Sequence, residues 1–214
     1  MKVKINIPEN LSEITLGQYQ RFLKLDFDDN PTNSFALQKM IEIFCKVDLK
    51  DVATIKFKDV TKVTSELTSM FNEKTDLIPT VNLNGVKYGF IPNLDEMSLG
   101  EYIDLDNFFH DWETMQKAMC VLYRPIEHQK GDKYLIEEYT GVDNEEAMKD
   151  MPLNVVFGAK VFFYHLGIEL LNLIPNFLKD QDLTFQQRQI LERSGDGIQA
   201  FTESVKGYLP NSTM

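Results

Sequence analysis

The sequence predicts a mainly α-helical protein with a small antiparallel β element, an α+β class in one domain over residues 1–214. Three observations carry this. A capped-helix phrase occurs twice, so a duplicated unit is expected over residues 7–47 and 91–125. The hydrophobic period changes from helical to alternating around Asn84-Gly85, which marks a β-hairpin over residues 80–91. The longest apolar stretch, Met151 to Leu178, keeps helical spacing and reads as a central buried helix within a helical C-terminal part, residues 144–208.

The repeated phrase is Ile7-Pro8-Glu9-Asn10-Leu11-Ser12-Glu13-Ile14-Thr15-Leu16-Gly17-Gln18-Tyr19, which returns as Ile91-Pro92-Asn93-Leu94-Asp95-Glu96-Met97-Ser98-Leu99-Gly100-Glu101-Tyr102 without Glu9. Thr15-x-x-Gln18 and Ser98-x-x-Glu101 fit a capping box. The hydroxyl accepts from the backbone N–H three residues on, and that residue's side chain reaches back to the cap N–H. Ile14 with Tyr19, and Met97 with Tyr102, occupy the two positions of a hydrophobic staple. Gly17 and Gly100 are poor helix formers, so another backbone is expected close against each first turn. The repeat continues in Gln38-Lys39 against Gln116-Lys117 and in Lys46 against Arg124. Each unit is therefore a capped helix, an acidic turn and a second amphipathic helix.

In chain order, Val3, Ile5 and Ile7 alternate with polar residues and predict a strand ending at Pro8. A helix follows from Leu16 towards Leu25, an Asp/Asn/Pro turn over residues 26–31, and a second helix from Ser34 to Lys46. A short helix within residues 48–59 and a longer one from Asp59 to Asn72 lead to the hairpin. Lys133 to Tyr139, bracketed by Gly131 and Gly141, is a further strand candidate. Pro152 suits a first helical turn, Gly158 and Gly167 permit close helix contacts, and Pro175 is expected to kink or end the apolar helix. A polar helix to about Arg193, a last helix to Tyr208 and a loose tail complete the chain.

Composition narrows the function. With 33 acidic and 22 basic residues the net charge is −11, which disfavours direct nucleic-acid or anionic-membrane binding. Asn154, Lys160, His165, Glu169 and Asn172 interrupt the apolar stretch, so it does not read as a membrane span. Cys45 and Cys120 fall in apolar helical patterns and read as buried reduced thiols. Met1-Lys2-Val3-Lys4 runs into an alternating segment without a signal-peptide core, so synthesis in the cytoplasm is expected. His110, His128 and His165 lack convincing metal partners, and His165 with Glu169 reads as an internal contact. Asp26-x-Asp28-x-Asn30 opens like a calcium loop but carries Pro31 and Leu37 where Gly and Glu are needed. Glu137-Glu138 and Asp143 to Glu146 read as solvated acidic runs. No phosphate loop or nucleophile elbow occurs, so no catalytic, cofactor or metal residue is assigned and the chain is not expected to be an enzyme.

Trp112, Tyr123 and Arg124 are the candidate interaction residues, being of the types enriched at interface hot spots. The alternative is that Trp112 is core and Tyr123-Arg124-Pro125 is a helix stop. The segments Leu99-Gly100-Glu101-Tyr102, Ala118-Met119-Cys120-Val121-Leu122-Tyr123-Arg124-Pro125 and Met151-Pro152-Leu153-Asn154-Val155-Val156-Phe157-Gly158-Ala159 resemble small virion structural and assembly proteins of tailed bacteriophages. The resemblance implies a head–tail neck or tail component, a subunit of a homo- or hetero-oligomeric assembly whose partners are other phage structural proteins. It would be made in the host cytoplasm and carried in the virion. The alternatives are an assembly chaperone absent from the finished particle and, of another class, an enzyme with an acidic cleft.

Overall fold

The computed structural model describes residues 5–25 and 34–180. Helices α1 (Leu16–Leu23), α2 (Ser34–Phe44), α3 (Leu49–Val52) and α4 (Phe57–Phe71) precede the hairpin of β1 (Thr80–Leu83) and β2 (Val86–Phe90). Then come α5 (Leu99–Phe109), α6 (Met115–Leu122), β3 (Tyr123–Lys130), β4 (Lys133–Ile136), α7 (Glu145–Met148) and α8 (Leu153–Asp180). The class is α+β, with one antiparallel four-stranded sheet in the order β1-β2-β3-β4. Contacts divide the chain into two compact units, residues 1–158 and 159–214. The predicted calcium-like turn at 26–31 and the helices and tail beyond residue 180 lie outside the described residues.

Both copies of the phrase form the same local structure. A 3-10 turn capped by Asn10 or Asn93 leads into a helix whose box is closed from both sides. In α1 the Thr15 N–H donates to Gln18 Oε1 at 3.0 Å and Gln18 N–H donates to Thr15 Oγ1 at 3.2 Å. In α5 the Ser98 N–H donates to Glu101 Oε2 at 2.6 Å and Glu101 N–H donates to Ser98 Oγ at 3.2 Å.

A box satisfies the cap and N3 donors but leaves the N–H groups of N1 and N2 without intrahelical partners. In α1 a remote segment satisfies them: Leu16 N–H donates to Met151 O at 2.9 Å and Gly17 N–H to Lys149 O at 2.8 Å. The contact is mutual, because Leu153 N–H, at the first position of α8, donates to Ile14 O at 2.8 Å. Thr15 and Pro152 form an isolated antiparallel bridge at its centre. A Cβ on Gly17 would sit 3.2 Å from both Cβ and O of Lys149, so the expected close backbone is there. At Gly100 it is absent. A Cβ there would meet only the Ser98 hydroxyl, at 4.0 Å, among the described residues.

Other expectations need correction. Ile5 to Ile7 is not a strand and joins no sheet, because the meander takes its third strand from Tyr123–Lys130 instead. Tyr123-Arg124-Pro125, a helix stop in the alternative reading, opens this strand: the chain leaves α6 straight into β3, with Tyr88 opposite Pro125 and Phe90 opposite Tyr123. Asn84 and Gly85 take positive φ, 52° and 86°, as the tight hairpin turn requires. Helix α8 is buried at Leu153, Val155 and Val156, but Phe162 and Leu166 are only half-buried and His165 is exposed, so it is not a core helix throughout. It also continues past Pro175 to Asp180. Gly158 does serve a close contact, since a Cβ there would fall 2.2 Å from Asp76 O. No helix among the described residues is long and apolar enough to cross a membrane.

Thr15→Ala and Ser98→Ala should each cost about 0.5–2 kcal/mol in urea unfolding through the lost cap. The glycines should separate. Gly100→Ala is expected to be neutral or stabilising by about 0.4–1 kcal/mol, with Gly17→Ala at least about 1 kcal/mol less favourable because Lys149 must give way. Equal effects of the two glycine substitutions would contradict the contact at α1.

Candidate interaction surface

Helix α5 turns the stripe Glu101, Leu105 and Phe109 inward and leaves three large apolar side chains outward. Glu101, Leu105 and Phe109 are buried, whereas Leu99, Tyr102 and Ile103 are 74%, 61% and 47% exposed. Within that inward stripe Glu101 is held by Arg124, the residue after the buried Tyr123 at the start of β3. Its Nη2 lies 2.7 Å from Glu101 Oε1, and only 14% and 7% of the two side chains reach solvent. Glu101 thus divides its oxygens, Oε2 closing the capping box and Oε1 taking the guanidinium. Tyr139 lays its ring 5.7 Å from the guanidinium carbon and donates its hydroxyl to Asp104 Oδ2. Burial, then the hydrogen bond to Asp104, raises the Tyr139 pKa well above the ordinary phenol value.

The three candidate interaction residues lie together in sequence but have different surroundings. Tyr123 is wholly buried, its hydroxyl donating to Ile78 O at 2.8 Å and its ring 5.3 Å from that of Phe90. A residue with no exposed surface makes no partner contact, so Tyr123 is withdrawn from the candidate surface. Trp112 is half-buried in an aromatic cluster, with ring centroids 4.8 Å from Tyr19 and 5.7 Å from Phe157. Its carbonyl accepts from Gln20 Nε2 at 2.7 Å. Arg124 holds Glu101. Packing and internal charge pairing occupy all three.

The outward face of α5 was missed. Leu99, Tyr102 and Ile103 stand at i, i+3 and i+4 and so share one side of the helix. The default reading turns such a triplet to the core. In α5 the buried side is the stripe Glu101, Leu105 and Phe109, which leaves the triplet outside. The expected staple of Met97 with Tyr102 is affected too, since Tyr102 stands in solvent. Asp106, one turn on from Tyr102 and Ile103, and Asp95 and Glu96 in the 3-10 turn just before α5 are exposed. Among the described residues the other exposed large apolar side chains, Leu23, Phe35, Phe57, Val86 and Leu135, form no such triplet.

No group of three His, Cys, Asp or Glu able to hold a metal occurs among the described residues. Burial raises the Cys45 and Cys120 thiols to about 11 and about 12, so both are protonated and poorly nucleophilic at neutral pH. Burial lowers Lys160 to about 8. His110 Nε2 lies 3.8 Å from Asp106 Oδ1 on the same helix. Glu145 pairs with Lys117 at 3.7 Å, which takes one member of the acidic run at 143–146 out of a purely solvated role.

Removing one partner of a buried ion pair strands the other charge, at a cost of about 3–5 kcal/mol. Arg124→Met should therefore destabilise by that amount in urea unfolding. Adding Glu101→Gln should recover much of the loss, because Gln keeps the box and carries no charge. A single-substitution loss below about 1 kcal/mol, or no recovery in the double variant, would contradict the assignment.

Compared with known proteins, the chain matches no protein-family model, no curated protein and no solved structure.

Proposed function

We propose that this protein is a non-enzymatic structural subunit of a tailed-phage virion, a neck or tail component that works through protein–protein contacts. The observation that carries the contact role is the outward face of α5, three large apolar side chains in solvent on a chain of net charge −11. An apolar triplet on one helix face is a common anchor set for partner recognition. The acidic balance keeps a free subunit soluble and favours encounter with a basic partner, with a rate that falls as salt rises. The phage setting rests on the resemblance of the segments at 99–102, 118–125 and 151–159, and the partners are then other virion proteins.

The test is quantitative mass spectrometry of purified particles from cells in which the chain is made. The wild-type chain should be incorporated at a fixed ratio to the other structural proteins. Leu99→Glu should lose incorporation by at least about tenfold while melting like the wild type, because Glu is favourable in a first helical turn. A chain abundant in the cell and missing from particles would contradict the structural role and favour the assembly chaperone.

A further inference from the structure

The two copies of the capped-helix phrase present the same surface in two states, and the first shows what the second is shaped to hold. Leu16, Gly17, Tyr19 and Gln20 of α1 correspond to Leu99, Gly100, Tyr102 and Ile103 of α5. Leu16 is wholly buried, Gln20 is 7% exposed, and Tyr19 packs on Trp112, Phe71 and Phe157. Their counterparts Leu99, Ile103 and Tyr102 are 74%, 47% and 61% exposed. The covering element at α1 includes the turn Lys149-Asp150-Met151-Pro152 that joins α7 to the first residue of α8, Leu153; its carbonyls at 149 and 151 take the N–H groups of Gly17 and Leu16. Met151 and Leu153 are both wholly buried. Among the described residues nothing equivalent meets Leu99 and Gly100.

We infer that the start of α5 is a docking site for a turn leading into a helix on a partner protein, bound as residues 149–153 bind α1. The segment would place two alternate backbone carbonyls on the N–H groups of Leu99 and Gly100. It would lay apolar side chains flanking a proline against Leu99, Tyr102 and Ile103. Turn carbonyls offered to the first N–H groups of a helix satisfy donors that the helix itself leaves over. Gly100 fits this use, since its missing Cβ leaves the space that Lys149 fills at Gly17. Asp106 on α5 and Asp95 and Glu96 in the turn just before it are exposed, so the segment is flanked by basic residues. This rests on the contact role proposed above and specifies its chemistry.

The probe is a synthetic peptide of residues 147–155, titrated into the full-length, isotopically labelled chain and followed by amide chemical shifts. Saturable shifts at Leu99 and Gly100 are expected, with affinity at least about tenfold weaker in Gly100→Ala. That variant should melt at or above the wild-type temperature, so a loss of binding is not a loss of fold. Three results would overturn the inference: no shift at these amides up to millimolar peptide, shifts confined to Leu16 and Gly17, or binding unaffected by Gly100→Ala. Shifts at Leu99 and Gly100 that grow with protein concentration in the absence of peptide would assign the face to a second copy and overturn the partner segment. Particle incorporation is read separately, so a failed titration with normal incorporation removes this docking mode and leaves the structural role standing.

Discussion

The first turns of α1 and α8 complete each other's hydrogen bonds, and the packing of residues 1–158 depends on that exchange. Neither helix start is self-sufficient. The box at Thr15 leaves the Leu16 and Gly17 donors over, and Pro152 leaves Leu153 N–H over; Met151 O, Lys149 O and Ile14 O take all three. A buried donor without a partner costs about 1–3 kcal/mol, so the three bonds are worth most for what they prevent. They join segments more than 130 residues apart in sequence and bring Ile14, Leu16, Met151 and Leu153 to complete burial. Closing so long a loop is opposed by chain entropy that grows only slowly with length. Burial of four large apolar side chains, at about 1.5–3 kcal/mol each, is of the size needed to offset it.

A second constraint acts inside each repeat, through the third residue of the capped helix. Gln18 closes its box with Oε1 and donates from Nε2 to Ile43 O at 2.6 Å, tying α1 to the end of α2. Glu101 closes its box with one oxygen and ties α5 to the residue just past α6 through Arg124. The geometry is shared and the chemistry exchanged. An amide suits a carbonyl, whereas a carboxylate needs a cation. The exchange follows the sequence, since Lys46, the counterpart of Arg124, is exposed where its unit carries the neutral Gln18. Both solutions turn the third residue inward, and the copies differ in what covers the next side of the helix: residues 149–153 over Leu16 and Gly17, and no described segment over Leu99 and Gly100.

Local signals were legible and long-range ones were not. Both capping boxes, the Asn84-Gly85 turn and the amphipathic helices α2 and α4 are written in neighbouring residues, where cap chemistry and hydrophobic period decide the outcome. Strand β3 was hidden because Tyr123-Arg124-Pro125 follows a helix without a turn residue and Pro125 reads as a stop. Its place in the sheet comes from pairing with β2, which lies more than 30 residues earlier. Trp112 and Tyr123 carry the composition of a contact site, yet composition does not distinguish an interface aromatic from a core one. The face that does reach solvent is an apolar triplet at helical spacing, and whether a distant segment covers it is not written in neighbouring residues.

Among the described residues the repeated motif is covered by its own chain in one copy and open in the other, and the docking proposed on α5 rests on that asymmetry. The most direct measurement of this asymmetry is native-state amide hydrogen exchange at the four corresponding positions. Leu16 and Gly17, bonded to Met151 and Lys149, should exchange only through large-scale opening. Leu99 and Gly100, equally placed in an equally capped helix, should exchange orders of magnitude faster in the isolated chain. Equal protection at the two helix starts would contradict the open site on α5.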